Sequence, residues 1–366
     1  MRPWRDWARE PGRYDRGDPD GGDVSDSAQA NGARRRPGGA ATIYDVAELA
    51  GVNPSTVSRA LGKPGRVSAA TEARVRAAAE QLHFRMNPMA RALPTGRTNT
   101  LALVVADITN PVIFGIVRGA EQAASAAGCT LVVAESQESG EAEGTVVDRL
   151  MPGVDGIVLA TTRLASERIT DIAGRTPVVL INRAVDGVPS VLPDVATGVR
   201  ELVGHLAGLG HTSLAYLSGP TTSWVSERRW EALLDEAERL ELGLVEIGPN
   251  PPTIEGGVAA YRRALASRAT AVLAFNDLMA IGFMQEAARN GVVVPDALSV
   301  AGFDDIFGSE LISPALTTVR APLVLAGQLS VQRLLRRIEG DETDAAGEQL
   351  LGTELVVRGS TAPPPS

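Results

Sequence analysis

A single cysteine, Cys129, stands among 366 residues, so the chain cannot close an internal disulfide, and such sparing use fits a reducing cytosol. Lysine is as scarce: Lys63 is alone and is followed by proline, which rules out a Walker A loop, whose lysine must follow a glycine-rich turn. No G-x-G-x-x-G follows the first apolar strand and no G-x-S-x-G elbow occurs, so neither dinucleotide chemistry nor a serine hydrolase is indicated. His83, His205 and His211 are scattered without metal-ligand spacing. Asp304 and Asp305 are adjacent, so their carboxylates diverge and read as a strand-end turn rather than an acid/base pair. The expectation is a protein that is not an enzyme and needs no cofactor and no metal. No window approaches the roughly 20 apolar residues that cross a bilayer, and residues 1–30 lack the apolar core of a signal peptide. A membrane protein and an exported binding protein are both disfavoured.

What is present is an ordinary soluble balance, 44% hydrophobic and 22% charged, long enough for two or three domains. The net charge of −9 is unevenly spread. Over 42–100 eight cationic residues oppose four acids, a net +4; residues 1–41 net +1, which leaves −14 for residues 101–366. Basic charge therefore concentrates near the N-terminal side, the footprint of a nucleic-acid-binding head. Residues 1–41, rich in Gly, Pro, Asp and Arg, bury too little to offset their ordering entropy and are expected to be a disordered tail. The triplet Arg34, Arg35 and Arg36 can touch phosphates, but a solvated tail or an early start codon explains it as well.

The stretch 42–61, TIYDVAELAGVNPSTVSRAL, reads as two short helices across a turn. Thr42 and Asp45 have capping-box spacing. Ile43, Val46, Ala47 and Ala50 form one apolar stripe that ends at Gly51, a residue suited to a sharp turn. Asn53 and Pro54 restart a helix as cap and N1 proline. Val57 and Leu61 then face helix one, and Ser55, Thr56, Ser58 and Arg59 point outward. Ser68 caps a third helix whose Val75, Ala78, Ala79 and Leu82 close a three-helix core. A helix-turn-helix and a plain amphipathic hairpin both satisfy this periodicity.

The string Y-D-V-A-x-x-A-G-V-x-x-x-T-V-S-R, from Tyr44 to Arg59, resembles the DNA-binding head of the LacI/GalR family of bacterial transcriptional regulators. The resemblance implies that Pro54, Ser55 and Arg59 read bases while Thr42, Asn53, Thr56 and Ser58 hold phosphates, with Arg66 a further DNA-facing cation. It also implies that residues 87–99, around NPMARALP, are a hinge helix and linker. Its Asn87, Ala90, Arg91 and Leu93 would meet the minor groove, Leu93 as a wedge between base steps.

From Thr100 onward, apolar strands alternate with amphipathic helices: LALVVAD, TLVVAE, GIVLA and PVVLIN, then SLAYLSG, LVEIG, AVLAFN and LSVAGFDD. Near-continuous apolar strands separated by helices argue for parallel sheets buried on both faces, and this many units for two doubly wound lobes. Ligands in such sheets bind beyond the carboxyl ends of the strands. The family resemblance extends to Thr361 and implies a two-lobed, periplasmic-binding-protein-like α/β core over 100–361 that closes on a small effector. It matches Arg229 and Asp277 to effector-contacting positions. Alternatively Arg229 is a surface residue like Arg228 beside it, and Asp277 a helix N-cap. Asp107, Asn110, Phe114, Asn182 and Trp224 are further candidates, Trp224 as a stacking platform or as a lid on core.

The expected organisation is a tail over 1–41, a helix-turn-helix domain over 42–86, the hinge over 87–99, the core over 100–361 and a disordered tail over 362–366. The expected function is a cytoplasmic repressor, an activator role staying open. It would bind double-stranded, pseudo-palindromic operator DNA as a homodimer and answer to a small-molecule effector, a sugar.

Overall fold

The computed structural model describes residues 41–62, 65–84, 97–341 and 347–365. The chain divides into two compact units, Met1–Arg85 and Met86–Ser366. In the first, α1 (Ile43–Ala50), α2 (Pro54–Gly62) and α3 (Ala69–Gln81) surround a small core of Val46, Ala47, Val57, Ala60, Val75 and Ala78. Local sequence sets each boundary. The Thr42 amide donates to the Asp45 carboxylate at 2.7 Å and the Asp45 amide to the Thr42 hydroxyl at 3.4 Å, a closed capping box. Gly51 ends α1 at φ 64°, a left-handed cap that few side chains tolerate. The Asn53 carbonyl accepts from Thr56 and Val57 to start α2, and the Ser68 hydroxyl accepts from the Thr71 amide to start α3.

The second unit is two lobes of one topology. The first lobe holds β1 (Thr100–Val105), β2 (Thr130–Glu135), β3 (Gly156–Ala160), β4 (Val178–Ile181), β5 (Ser190–Pro193) and β11 (Glu348–Leu351), in the order β11-β5-β4-β3-β1-β2, all parallel. Its helices are α4 (Val112–Ala126), α5 (Gly140–Leu150), α6 (Ser166–Ala173) and α11 (Leu323–Glu339). The second lobe holds β6 (Ser213–Leu217), β7 (Gly243–Ile247), β8 (Ala271–Ala274), β9 (Ser299–Asp304), β10 (Thr317–Arg320) and β12 (Glu354–Val356), in the order β12-β10-β9-β8-β6-β7. Four helices cover it: α7 (Val195–Gly208), α8 (Trp224–Arg239), α9 (Ile254–Ala266) and α10 (Asp277–Arg289). The chain crosses between lobes after β5, after β10 and between β11 and β12, and Thr353 ties two of these crossings by donating to the Asp194 carbonyl at 2.9 Å.

Eight strands were expected and twelve form among the described residues. The additional β5, β10, β11 and β12 are three or four residues long. They pair with one another across long stretches of sequence, Glu348 of β11 opposite Ser190 of β5 and Val356 of β12 opposite Thr318 of β10. The sheets are parallel as expected except at one edge, where the short β12 pairs with β10 antiparallel. In the first lobe α4 and α11 cross at backbone distance. A methyl on Gly119 would strike the Val324 carbonyl, and one on Gly327 the Ile116 carbonyl. The expected tail over 362–366 is instead ordered through 365: the Ala362 carbonyl accepts from Ser299 and sits 2.9 Å from the His211 ring. His211 is buried, and its other nitrogen meets Thr270 at 2.8 Å, so this histidine packs the lobe.

Candidate functional site

The outer face of α2 is the candidate DNA surface. Asn53, Ser55, Ser58 and Arg59 are exposed and Pro54 and Thr56 half-buried, while Val57 and Ala60 face inward. Arg59 lies along the helix, donating from Nε to the Ser55 carbonyl at 3.1 Å. Such a bond to water-exposed groups is weak and readily exchanged for a base edge or phosphate. Thr42 and Arg66 are also exposed. Asn87, Ala90, Arg91 and Leu93 lie outside the described residues.

Within the second unit a polar cleft lies where the carboxyl ends of the strands of both lobes meet. The first lobe lines it with Asp107, Asn110, Glu138, Thr161, Arg163 and Asn182. The second contributes Ser223, Arg229, Pro252, Phe275, Asn276 and Asp304. Its free volume is about 50 Å³, well below the roughly 300–1,000 Å³ of small-molecule sites, so a ligand must part the walls. Backbone strain gathers here. Glu138 (φ 58°), Thr161 (φ 57°), Asn182 (φ 59°) and Asp304 (φ 108°) are non-glycine residues with positive φ, each at or just past a strand end. Such conformations persist where the surrounding structure holds side chains in working positions.

Each lobe presents one guanidinium already held by a carboxylate. In the second lobe Arg229 is 7% exposed on α8. It donates to the Phe275 carbonyl and, at 3.1 Å, to Asp304 Oδ1. Its carbon lies 4.2 Å from the centre of the Phe303 ring and 5.0 Å from that of Phe275, so cation–π attraction adds to the ion pair. Burial pushes the Asp304 carboxyl up and Arg229 opposes that shift. In the first lobe Arg163 donates from Nε to Glu138 Oε2 at 2.7 Å and from Nη1 to the Thr161 carbonyl at 2.8 Å. Beneath it the Arg163 amide donates to the buried Glu143 at 2.8 Å, whose carboxyl burial pushes up.

Of the expected effector residues, Asp107, Asn110, Asn182 and Arg229 line this cleft and three others do not. Asp277 is fully buried as the first residue of α10. Its Oδ2 accepts from the Ile306 amide at 3.0 Å and from Ser309, and its Oδ1 from Thr318 at 2.6 Å. Burial, with Asp304 adding to it, pushes its carboxyl up to about 7. With its oxygens engaged inside the lobe, Asp277 is structural; Asn276, one residue earlier, is what reaches the cleft. The N-cap is likewise Asn276, whose Oδ1 accepts from the Met279 amide. Phe114 is 59% exposed and lies outside the cleft lining. Trp224 opens α8, is half-buried against the second-lobe core with Arg228 over its ring, and lies outside the cleft lining.

Sequence reasoning missed Glu138, Arg163, Asn276 and Asp304. For Asp304 the signal was available, since it ends the strand LSVAGFDD, but adjacency to Asp305 hid it. The two carboxylates diverge, Asp304 to Arg229 and Asp305 to Arg320 at 2.7 Å and Arg358 at 2.6 Å.

A helix-turn-helix head on one chain with a two-lobed α/β core whose strand ends meet at a polar cleft defines a DNA-binding transcriptional regulator. Residues 42–87 match the model of the bacterial regulatory proteins of the lacI family, and residues 203–361 that of a periplasmic binding protein-like domain. The chain is 31% identical over 331 residues to the HTH-type transcriptional repressor CytR of Escherichia coli K12, covering 88% of this chain and 96% of CytR. It superposes on a lac repressor dimer bound to operator and the anti-inducer ONPF with a TM-score of 0.81 at 29% identity, covering 88% of this chain and 99% of that one. A CelR–cellobiose complex matches with a TM-score of 0.64 at 30% identity, covering 87% and 99%. The chain belongs to the LacI family of bacterial regulatory proteins, and it regulates transcription rather than catalysing a reaction.

Proposed function

We propose that the protein is a cytoplasmic repressor that binds a pseudo-palindromic operator as a homodimer and responds to a polyhydroxylated effector, a sugar, bound between the core lobes. The observation that carries this reading is the convergence of both lobes on one cleft of carboxylates, amides and held guanidiniums, groups that accept from and donate to hydroxyls. Likeness to a regulator solved with cellobiose supports a sugar. Effector binding can move the DNA equilibrium only through unequal affinity for two lobe arrangements, and the three crossings between lobes are where such arrangements would differ.

Dimerisation is supported by an apolar face on the second unit. A groove of about 490 Å³ runs beside α10, lined by Met284, Ala288, Val293, Val294, Ile312 and Pro314. Phe307, Leu311 and Val293 are 76%, 64% and 56% exposed on the same unit, large apolar side chains of the kind that interaction surfaces gather. A second copy is the assigned occupant. In the head, Pro54, Ser55 and Arg59 would read bases and Thr42, Asn53, Thr56 and Ser58 would hold phosphates. Asn87, Ala90 and Leu93 would enter the minor groove.

Fluorescence anisotropy of the purified protein against DNA from upstream of its own gene, beside a scrambled duplex at two salt concentrations, tests this. A preference above roughly a thousandfold with steep salt dependence is expected. Weak and equal binding there, and again in genome-wide selection with sugars present, would refute it.

A further inference from the structure

The cleft carries information on the charge of its ligand. Anion-binding sites need a free guanidinium or ammonium, or a helix N-terminus with open amides. Here both kinds of group are engaged. Arg229 is bonded to Asp304 and Arg163 to Glu138, each also to a main-chain carbonyl. Three helices begin at the cleft. Two are capped by a side chain, Ser223 accepting from the Ser226 amide at 3.3 Å and Asn276 from Met279 at 3.0 Å, and at the third, α4, the first amides are taken locally, Val112 by the Asn110 side chain at 3.1 Å and Ile113 by the Asn110 carbonyl at 3.0 Å. Two guanidiniums face three carboxylates, those of Asp107, Glu138 and Asp304, so the lining carries a net negative charge.

Resting on the reading of this cleft as an effector site, we propose that it selects an uncharged polyol over the phosphate esters of the same polyol, and that Glu138 is the specificity-determining residue on the first lobe. Its Oε2 holds Arg163 at 2.6–2.7 Å while its side chain stays 30% accessible, leaving the carboxylate free to accept from a ligand hydroxyl. The strained backbone at Glu138 fixes that carboxylate at the cleft wall. A phosphate entering there meets Glu138 before it meets Arg163.

The test is isothermal calorimetry and thermal shift on the full chain. The panel is neutral mono- and disaccharides and nucleosides, among them D-ribose, maltose and cellobiose, beside ribose 5-phosphate, glucose 6-phosphate and the other monophosphates. Binding confined to neutral compounds is expected. In Glu138→Gln the neutral ligand should lose about tenfold in affinity, as one charge-assisted hydrogen bond commands, while the corresponding phosphate gains. That inversion of selectivity is something a purely structural role would not produce. A phosphate ester that binds the parent chain at least as tightly as its neutral form, and loses binding in Arg229→Ala, overturns the charge inference while leaving the cleft as effector site. Neutral binding unchanged in both Glu138→Gln and Arg229→Ala overturns the cleft itself, as does binding by neither class.

Discussion

The two lobes share one strand order and differ in what fills it. The core clusters of the first lobe contain no aromatic ring and are built on residues such as Leu101, Ile116, Leu159 and Ile172. The second is studded with aromatics. Tyr216 stacks on Trp230 with centroids 6.0 Å apart, Tyr261 tilts against Phe283 at 5.5 Å, and Phe275 and Phe303 flank Arg229. The same contrast holds at the cleft. Each guanidinium is held by a carboxylate on a left-handed residue and by a main-chain carbonyl, but packed rings flank only that of the second lobe. Topology therefore dictates where the cleft lies, and side-chain packing decides how stiff each wall is.

The largest effect should fall on the second lobe away from the ligand. Replacing Asp277 with Ala strands the Ile306 amide and the hydroxyls of Ser309 and Thr318 in the core, a loss of about 3 kcal/mol or more in urea unfolding. A loss under about 1 kcal/mol would contradict its structural role. Next, Arg229→Ala leaves the Asp304 carboxylate unpaired among aromatic rings. Calorimetry should show effector affinity falling about a hundredfold, against the tenfold of Glu138→Gln in the first lobe. Equal losses would erase the distinction between a stiff and a compliant wall.

Neither cleft substitution should alter operator affinity in the absence of effector, which isolates the head for a third comparison. Arg59→Ala should cost about 1–3 kcal/mol of operator binding and relax sequence preference, read by anisotropy. Leu93→Ala should weaken specific binding more than nonspecific, and equal losses would remove its role as a wedge.

The smallest effect concerns pH and again separates the lobes, because among the described residues of the second unit both histidines, His205 and His211, lie in the second lobe. Burial lowers the His211 imidazole from its usual 6.5. The folded chain thus binds this proton less readily than the unfolded chain. Its contribution to stability is complete above about 6.5 and is lost as pH falls toward the depressed folded value, by at most about 1.4 kcal/mol per unit. Unfolding titrations of the parent and His211→Asn should differ in slope only below that pH.

The head was legible because every signal in it is local: capping box, glycine stop, asparagine–proline start, and a stripe of four apolar residues. The eight expected strands were legible for the same reason, as local apolar runs, most of them buried on both faces. The four additional ones were not. In β10 the fully buried pair is Thr317 and Thr318; their hydroxyls are satisfied by Thr361, the Arg358 amide and Asp277, and the Thr317 amide donates to the Ser360 hydroxyl, and nothing in TTVR announces such partners. The cleft was half legible. Strand ends pointed to Asp107, Asn110 and Asn182. Which member of Asn276–Asp277 and of Asp304–Asp305 faces the ligand depends on a backbone turn of one residue.

By itself the sequence determined that this chain has a small helical head carrying net positive charge and an acidic α/β core of repeating strand–helix units, because periodicity, capping and charge act over a few neighbours. It also determined the general place of the site, since parallel strands bring their carboxyl ends to one edge. Only the tertiary structure decided that the two lobes share one strand order and are joined by three crossings, that Asp277 is sealed in the core while Asp304 lines the cleft, and that Glu138 and Arg163 form the opposing wall. Those outcomes depend on contacts between residues tens to hundreds of positions apart, where burial and partner geometry, rather than residue type, select the side chain that meets solvent.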